Sequence, residues 1–162
     1  MKTAAIVLIV LVLAVGGALG WALFNTNLQV TAKGMQVFPA QERIGEFEQV
    51  KLAANQRSLL GTLLKTGGVG EAKDYSFYVY SLRLKNNGLV PAEMVEMQIS
   101  PIAQDVLFYG AEEEIIIMPG ASRDVWCVLL TEGAPTAVRE IYITYYLWGH
   151  AQEVKFTYDD AR

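Results

Sequence analysis

Apolar residues follow three rhythms along this chain, and each predicts a different element. From Ala4 to Phe24 they are unbroken, and no charged side chain stands between Lys2 and Lys33. At about 1.5 Å per residue, a helix of that span covers the roughly 30 Å hydrocarbon thickness of a bilayer. Its β-branched residues (Ile6, Val7, Ile9, Val10, Val12, Val15) weaken a helix in water, but in lipid an open backbone costs more. One transmembrane helix within residues 1–27 is therefore expected in a cell membrane, with the N-terminus and Lys2 cytoplasmic and the rest of the chain extracytoplasmic. Trp21 falls where an amphipathic ring sits among headgroups. The alternative is a cleaved secretory signal ending at Ala18-Leu19-Gly20; against it, Trp21 to Phe24 stays apolar where a signal turns polar. Gly16 and Gly20, with Ala14, Ala18 and Ala22 beside them, give the small-residue spacing that lets two helices approach, although Gly and Ala are common in membrane segments anyway. A homodimer through this helix is one expected partnership, beside the bilayer itself.

From Tyr75 onward the period is two. Strands are expected over Asp74 to Lys85, Ala92 to Ile99, Val106 to Tyr109, Glu114 to Met118, Asp124 to Thr131, Arg139 to Trp148 and Gln152 to Tyr158. Asn86-Asn87-Gly88, Ser100-Pro101, Gly110, Pro119-Gly120 and Gly133-Ala134-Pro135 punctuate them, and a hairpin turns near Gly149-His150. An early strand over Leu28 to Val37, bulged at Gly34, makes about eight. The third rhythm is helical. Ala40 to Leu52 carries Ile44, Phe47 and Val50, and Ser58 to Lys65 carries Leu59, Leu60, Leu63 and Leu64, so two short helices are expected as an insert over residues 40–65. Gly67-Gly68-Val69-Gly70 reads as a flexible joint; no Lys-Ser or Lys-Thr follows it, so it is not a phosphate loop.

Some strands are apolar on both rows, so a second face needs covering. In Arg139 to Trp148, Ile141, Ile143, Tyr145 and Leu147 form one row, which is expected to fill a core. Tyr142, Thr144, Tyr146 and Trp148 form the other, expected to pack under Ile44, Phe47 and the leucines of the insert, because large exposed apolar patches are rare on monomers. The alternative leaves Tyr142, Tyr146 and Trp148, with Tyr78 and Tyr80, as an open aromatic face for a protein, peptide or glycan.

Charge and composition narrow the function. The 162 residues carry a net charge of −4 and no basic patch, which argues against nucleic acid, and 52% hydrophobic content argues for a folded core. Cys127 is the only cysteine, so no internal disulfide holds the domain, and its apolar neighbours predict a packing role. His150 is the only histidine and lies at a hairpin tip, which leaves neither a zinc ligand set nor a nucleophile pair. Glu112 to Glu114 lacks the alternating oxygen spacing of a calcium loop. No catalytic residue, metal or cofactor is therefore expected, and the chain does not read as an enzyme.

The stretch Tyr80 to Glu93, with its Asn86-Asn87-Gly88 turn, followed by Ile117 to Val125 with its Pro119-Gly120 turn, resembles the strand and turn grammar of bacterial immunoglobulin-like modules. It resembles in particular the adhesion-type repeats and the C-terminal modules of membrane accessory proteins. The resemblance covers about a third of the chain and implies a binding or scaffolding role; the helical insert and the single copy depart from it. The expected fold is all-β, an immunoglobulin-like antiparallel β-sandwich over residues 28–162 with a short helical insert, preceded by one transmembrane helix. The expected function is a membrane-tethered, extracytoplasmic interaction or assembly module acting by protein contact. The alternative is a ligand-binding or sensory ectodomain using the aromatic face.

Overall fold

A computed structural model describes residues 2–24, 28–56, 61–64, 68–111, 113–133 and 138–158. Helix α1 spans Lys2–Phe24, and the side chains described for it, residues 5–21, are exposed or nearly so all round, with none in either hydrophobic core. Among the described residues, no helix is long and apolar enough to cross a membrane.

The rest is mostly β. Strands β1 (Leu28–Pro39), β3 (Tyr75–Asn86), β6 (Ser122–Glu132), β5 (Asp105–Gly110) and the short β2 (Thr62–Leu63) lie side by side in that order as the larger sheet; β4 (Glu93–Ile99), β7 (Arg139–Leu147) and β8 (His150–Tyr158) form the smaller one. All pairings are antiparallel. The sheets face each other over a core drawn from both: Tyr78, Tyr80, Leu82 and Leu84 of β3 and Val125, Cys127 and Leu129 of β6 meet Val95, Met97 and Ile99 of β4 and Ile141, Ile143, Tyr145 and Leu147 of β7. Period two sends these rows inward, and the molecule is a β-sandwich.

The larger sheet is buried on its other side over part of its length, while Arg83, Asp124 and Trp126 on that side stay exposed. Helix α2 (Ile44–Gln56), entered through a 3₁₀ turn at Ala40–Arg43, lays Phe47 and Ala54 on Tyr75, Phe77, Val128 and Leu130. The Phe47 and Tyr75 rings are 5.5 Å apart. Phe47 and Ala54, seven residues apart, share one face of the helix, whereas Ile44 and Leu52 point to solvent. The cover foreseen in the sequence thus exists but lies on β3, β5 and β6. The row Tyr142, Thr144, Tyr146 on β7 does not pack beneath Ile44 and Phe47, because α2 sits on the opposite side of the sandwich.

Several other expectations are corrected. Ser58 to Lys65 is not a helix where it is described: Thr62 and Leu63 pair with Phe108 and Leu107 of β5, and Ser58, Leu59, Leu60 and Lys65 lie outside the described residues. A Cβ on Gly61 would strike the Phe108 carbonyl and come within 2.8 Å of Tyr109 Cβ, so this glycine permits a close approach rather than weakening a helix. Glu114 to Met118 contributes one isolated bridge, Ala92 to Ile117, plus Val95 N–H to the Ile115 carbonyl at 2.9 Å; the bulge between Glu93 and Glu96, with Met94 at φ 50°, breaks the ladder between them. The irregularity in β1 lies between Val30 and Ala32, not at Gly34, whose missing Cβ leaves room for Ser81 Oγ. After β3 the chain is turned by a buried side chain: Asn86 Nδ2 donates to the carbonyls of Val90 (2.7 Å) and Ile117 (2.9 Å), and its Oδ1 accepts from Gly88 N–H at 2.8 Å. The glycine joint is pinned over its described part, with Val69 buried and Gly70 N–H donating to the Tyr75 hydroxyl at 3.0 Å.

One polar group ties the sheets together. Arg139, at the start of β7, donates through two nitrogens to Asp105, at the start of β5, at 2.7 and 2.9 Å. Thr131 Oγ1 on β6 and the Ile102 N–H complete the carboxylate's partners at 2.9 and 2.7 Å. Both charged side chains are buried, 2% and 0% exposed, and no buried side-chain polar atom lacks a partner among the described residues.

Candidate interaction surface

The five aromatic residues singled out in the sequence do not share a face. Tyr78 and Tyr80 are buried between the sheets, at 6% and 2% exposure, so they are corrected from candidate contacts to core. They stack at 6.5 Å, and Tyr80 meets Tyr158 edge-on at 5.6 Å. Burial pushes the Tyr80 hydroxyl up to about 12, with Arg139 pulling the other way.

Tyr142, Tyr146 and Trp148 do lie on the outer side or tip of the smaller sheet. Tyr142 is half-buried in a polar cluster: its hydroxyl donates to Glu140 Oε2 at 2.9 Å, Lys155 Nζ reaches Glu140 Oε1 at 2.8 Å, and the ammonium lies 5.3 Å from the Tyr142 ring centre. The hydrogen bonds from Lys155 and Tyr142 hold the Glu140 carboxyl below its ordinary value, and the bond to Glu140, then Tyr142, raises Lys155 above its own. Trp148 is not part of the β7 row. With Gly149 it forms the two-residue turn to β8, both at positive φ (53° and 74°), the pattern of a type I′ hairpin. That geometry throws the indole outward, 68% exposed.

Beside Tyr146 runs an open groove of about 690 Å³ between the outer face of β4, β7 and β8 and the residues Ala111, Glu113, Glu114 and Ile115. Met94 stands exposed at its side, and Glu96, Glu113, Glu114 and Glu153 line it with no lysine or arginine among them. Sequence reasoning missed Met94 and this concavity. Met94 alternates with the inward Val95, but its positive φ at a bulge, and the return of Glu113 and Glu114 alongside β4, are tertiary facts without a local signal. Glu112 lies outside the described residues.

The remaining candidates stay apart. His150 opens β8 on the surface. Cys127 is fully buried, and desolvation pushes its thiol well above the ordinary range. Among the described residues no cluster of His, Cys, Asp or Glu could hold a metal ion. On α1, a Cβ at Gly16 or Gly20 would meet nothing within 4 Å, so that side is open in the single chain.

No family model and no curated protein sequence matches the chain. Among solved structures it is similar to a FixG-related protein from Vibrio parahaemolyticus, at 13% identity and TM-score 0.36, over 82% of this chain and 100% of that one. It is also similar to the GAE domain of GGA2p from Saccharomyces cerevisiae, at 11% identity and TM-score 0.35, over 60% of this chain and 95% of that one. Likeness at this level carries no argument about function.

Proposed function

We propose that the chain is a membrane-tethered, extracytoplasmic interaction or assembly module that works by protein contact through the outer side of its smaller sheet. The observation that carries this is an asymmetry. α2 covers the outer side of the larger sheet over Tyr75, Phe77, Val128 and Leu130, whereas no helix lies on the outer side of the smaller one among the described residues, which leaves Met94, Tyr146 and Trp148 exposed near an acidic groove. Aromatic residues and Met that stay exposed around a concavity are the residue types enriched where proteins meet. The sheet order supports reading the sandwich as immunoglobulin-like: β1-β3-β6-β5 opposite β4-β7-β8 corresponds to A-B-E-D opposite C-F-G of the constant-type fold, with β2 added at one edge and α2 inserted between the first two strands. The charge-free run from Thr3 to Thr31 in the sequence supports a single-pass anchor within residues 1–27, N-terminus inside.

The test is site-specific photo-crosslinking in native membranes. A photoreactive residue at Tyr146 or Trp148 should give a discrete adduct to one protein, and the same group at Ile44 or Leu52 on α2 should not. Adducts of equal yield from both sides, or none from the smaller sheet, would reject the proposal. A second reading, a ligand-binding ectodomain, draws support from the groove; a peptide or glycan that raises the melting temperature, and loses that effect in Tyr146→Ala, would favour it.

A further inference from the structure

The smaller sheet ends in an open strand. Among the described residues β8 pairs only with β7, and its partner register is continuous from His150 opposite Leu147 to Tyr158 opposite Arg139. The type I′ turn makes Leu147 and His150 the closing hydrogen-bonded pair, and alternation then aims the backbone of Gln152, Val154, Phe156 and Tyr158 at β7. Ser100 N–H bonding to the Glu140 carbonyl at 2.9 Å, on the β4 side, fixes the same phase. The N–H and C=O groups of Ala151, Glu153, Lys155 and Thr157 therefore point out of the sheet. β1, the outer strand of the other sheet on the same flank, is blunted by its bulge and by Pro39, and its Lys33 lies over the Tyr158 ring at 5.2 Å. β8 has neither bulge nor proline.

We infer that this edge pairs with the same edge of a second copy of the chain, antiparallel about a two-fold axis through Val154. Charge selects the partner and the register. An axis at Glu153 sets Glu153 against Glu153 of the second copy, and an axis at Lys155 sets lysine against lysine. An axis at Val154 pairs all four outward residues and sets Glu153 opposite the second copy's Lys155 twice. Glu153 has no ion-pair partner among the described residues and lines the groove with three other glutamates, so an incoming ammonium relieves an uncompensated acidic field. Val154 and Phe156 point inward yet remain only half-buried for want of a neighbouring strand. A second β8 covers them, joining the two smaller sheets into one continuous sheet. This goes beyond the proposed function and needs no anchor.

Disulfide trapping tests it in the full chain, embedded in lipid nanodiscs or membranes. On the axis, the two Val154 positions form a non-hydrogen-bonded pair with Cα atoms about 4.5 Å apart, within disulfide reach. Val154→Cys should therefore form a covalent dimer on mild oxidation while buried Cys127 stays silent, and Gln152→Cys should not. Glu153→Lys should weaken the dimer roughly tenfold, and Lys155→Glu, which also sets a carboxylate beside Glu140, should weaken it at least as much. No crosslink at 154, or a crosslink indifferent to both charge reversals, overturns the pairing. Far-ultraviolet circular dichroism checks that each variant is folded, and a dimer trapped only through α1 would also count against it. Photo-crosslinks from Tyr146 or Trp148 to another protein are unaffected by failure here, so the two readings fall separately.

Discussion

Arg139→Met is the most informative single change. It leaves the Asp105 carboxylate at 0% exposure with only Thr131 Oγ1 and the Ile102 N–H as donors, after losing two charge-assisted bonds of 2.7 and 2.9 Å. Removing one partner of a buried pair costs about 3–5 kcal/mol, because the remaining charge keeps its desolvation penalty. For a domain of this size that lowers the melting temperature by roughly 10 °C. A control of nearly the same bond geometry exists on the surface. Arg83 reaches Asp124 with two bonds of 2.7 Å each, but the side chains are 57% and 59% exposed, so Arg83→Met should leave the midpoint almost unchanged. Urea titration followed by tryptophan fluorescence measures both. Adding Asp105→Asn to Arg139→Met should recover part of the loss, since the orphaned charge is gone. If Arg139→Met costs no more than Arg83→Met, the claim that a desolvated pair locks the two sheets is wrong.

Three further changes probe other parts of the fold. Tyr80 ionises near 10 in the unfolded chain but at about 12 when folded, so stability should fall as pH rises through that interval, and Tyr80→Phe should flatten the fall; absorbance at 295 nm with parallel melting curves checks it. Gly61→Ala should cost on the order of 1–3 kcal/mol and speed amide exchange in β2, whereas Gly45→Ala, with open space around its Cβ position, should be neutral or stabilising. Trp148→Asn should stabilise the hairpin by about 1 kcal/mol, because asparagine tolerates positive φ better than a bulky ring, while lowering the adduct yield of a photoreactive residue at Tyr146; a loss of stability would refute the strain at this turn.

Period-two alternation located β3, β4, β5, β6, β7 and β8 to within one or two residues at most ends, since inward rows such as Ile141, Ile143 and Tyr145 are set by the pleat alone. The double rows of Arg139 to Trp148 predict a second covering layer, and one exists, but over other strands. Alternation does not say which sheet a strand joins, so the cover was expected over Tyr142 and Tyr146 and lies over Phe77 and Leu130 instead. The leucine spacing around Leu63 matches a helix, but pairing with β5 overrides it at the point where Gly61 allows the backbones to meet. Tyr146 and Trp148 were legible as surface candidates. Tyr78 and Tyr80 were not separable from them, because a tyrosine in a strand fits a core or a surface equally well until its neighbours are known. Asp105 and Arg139 stand 34 positions apart, and a cross-sheet pair at that separation leaves no local trace.

Hydroxyl-radical footprinting of the full chain, first purified in nanodiscs and then in its native membrane, bears most directly on the proposal that the outer side of the smaller sheet is the working surface. Met94, Tyr146 and Trp148 should react readily in the purified protein and become protected in the native membrane, while Leu52 on α2 reacts equally in both. Equal reactivity of Met94, Tyr146 and Trp148 in the two settings, or protection centred on α2, would contradict it.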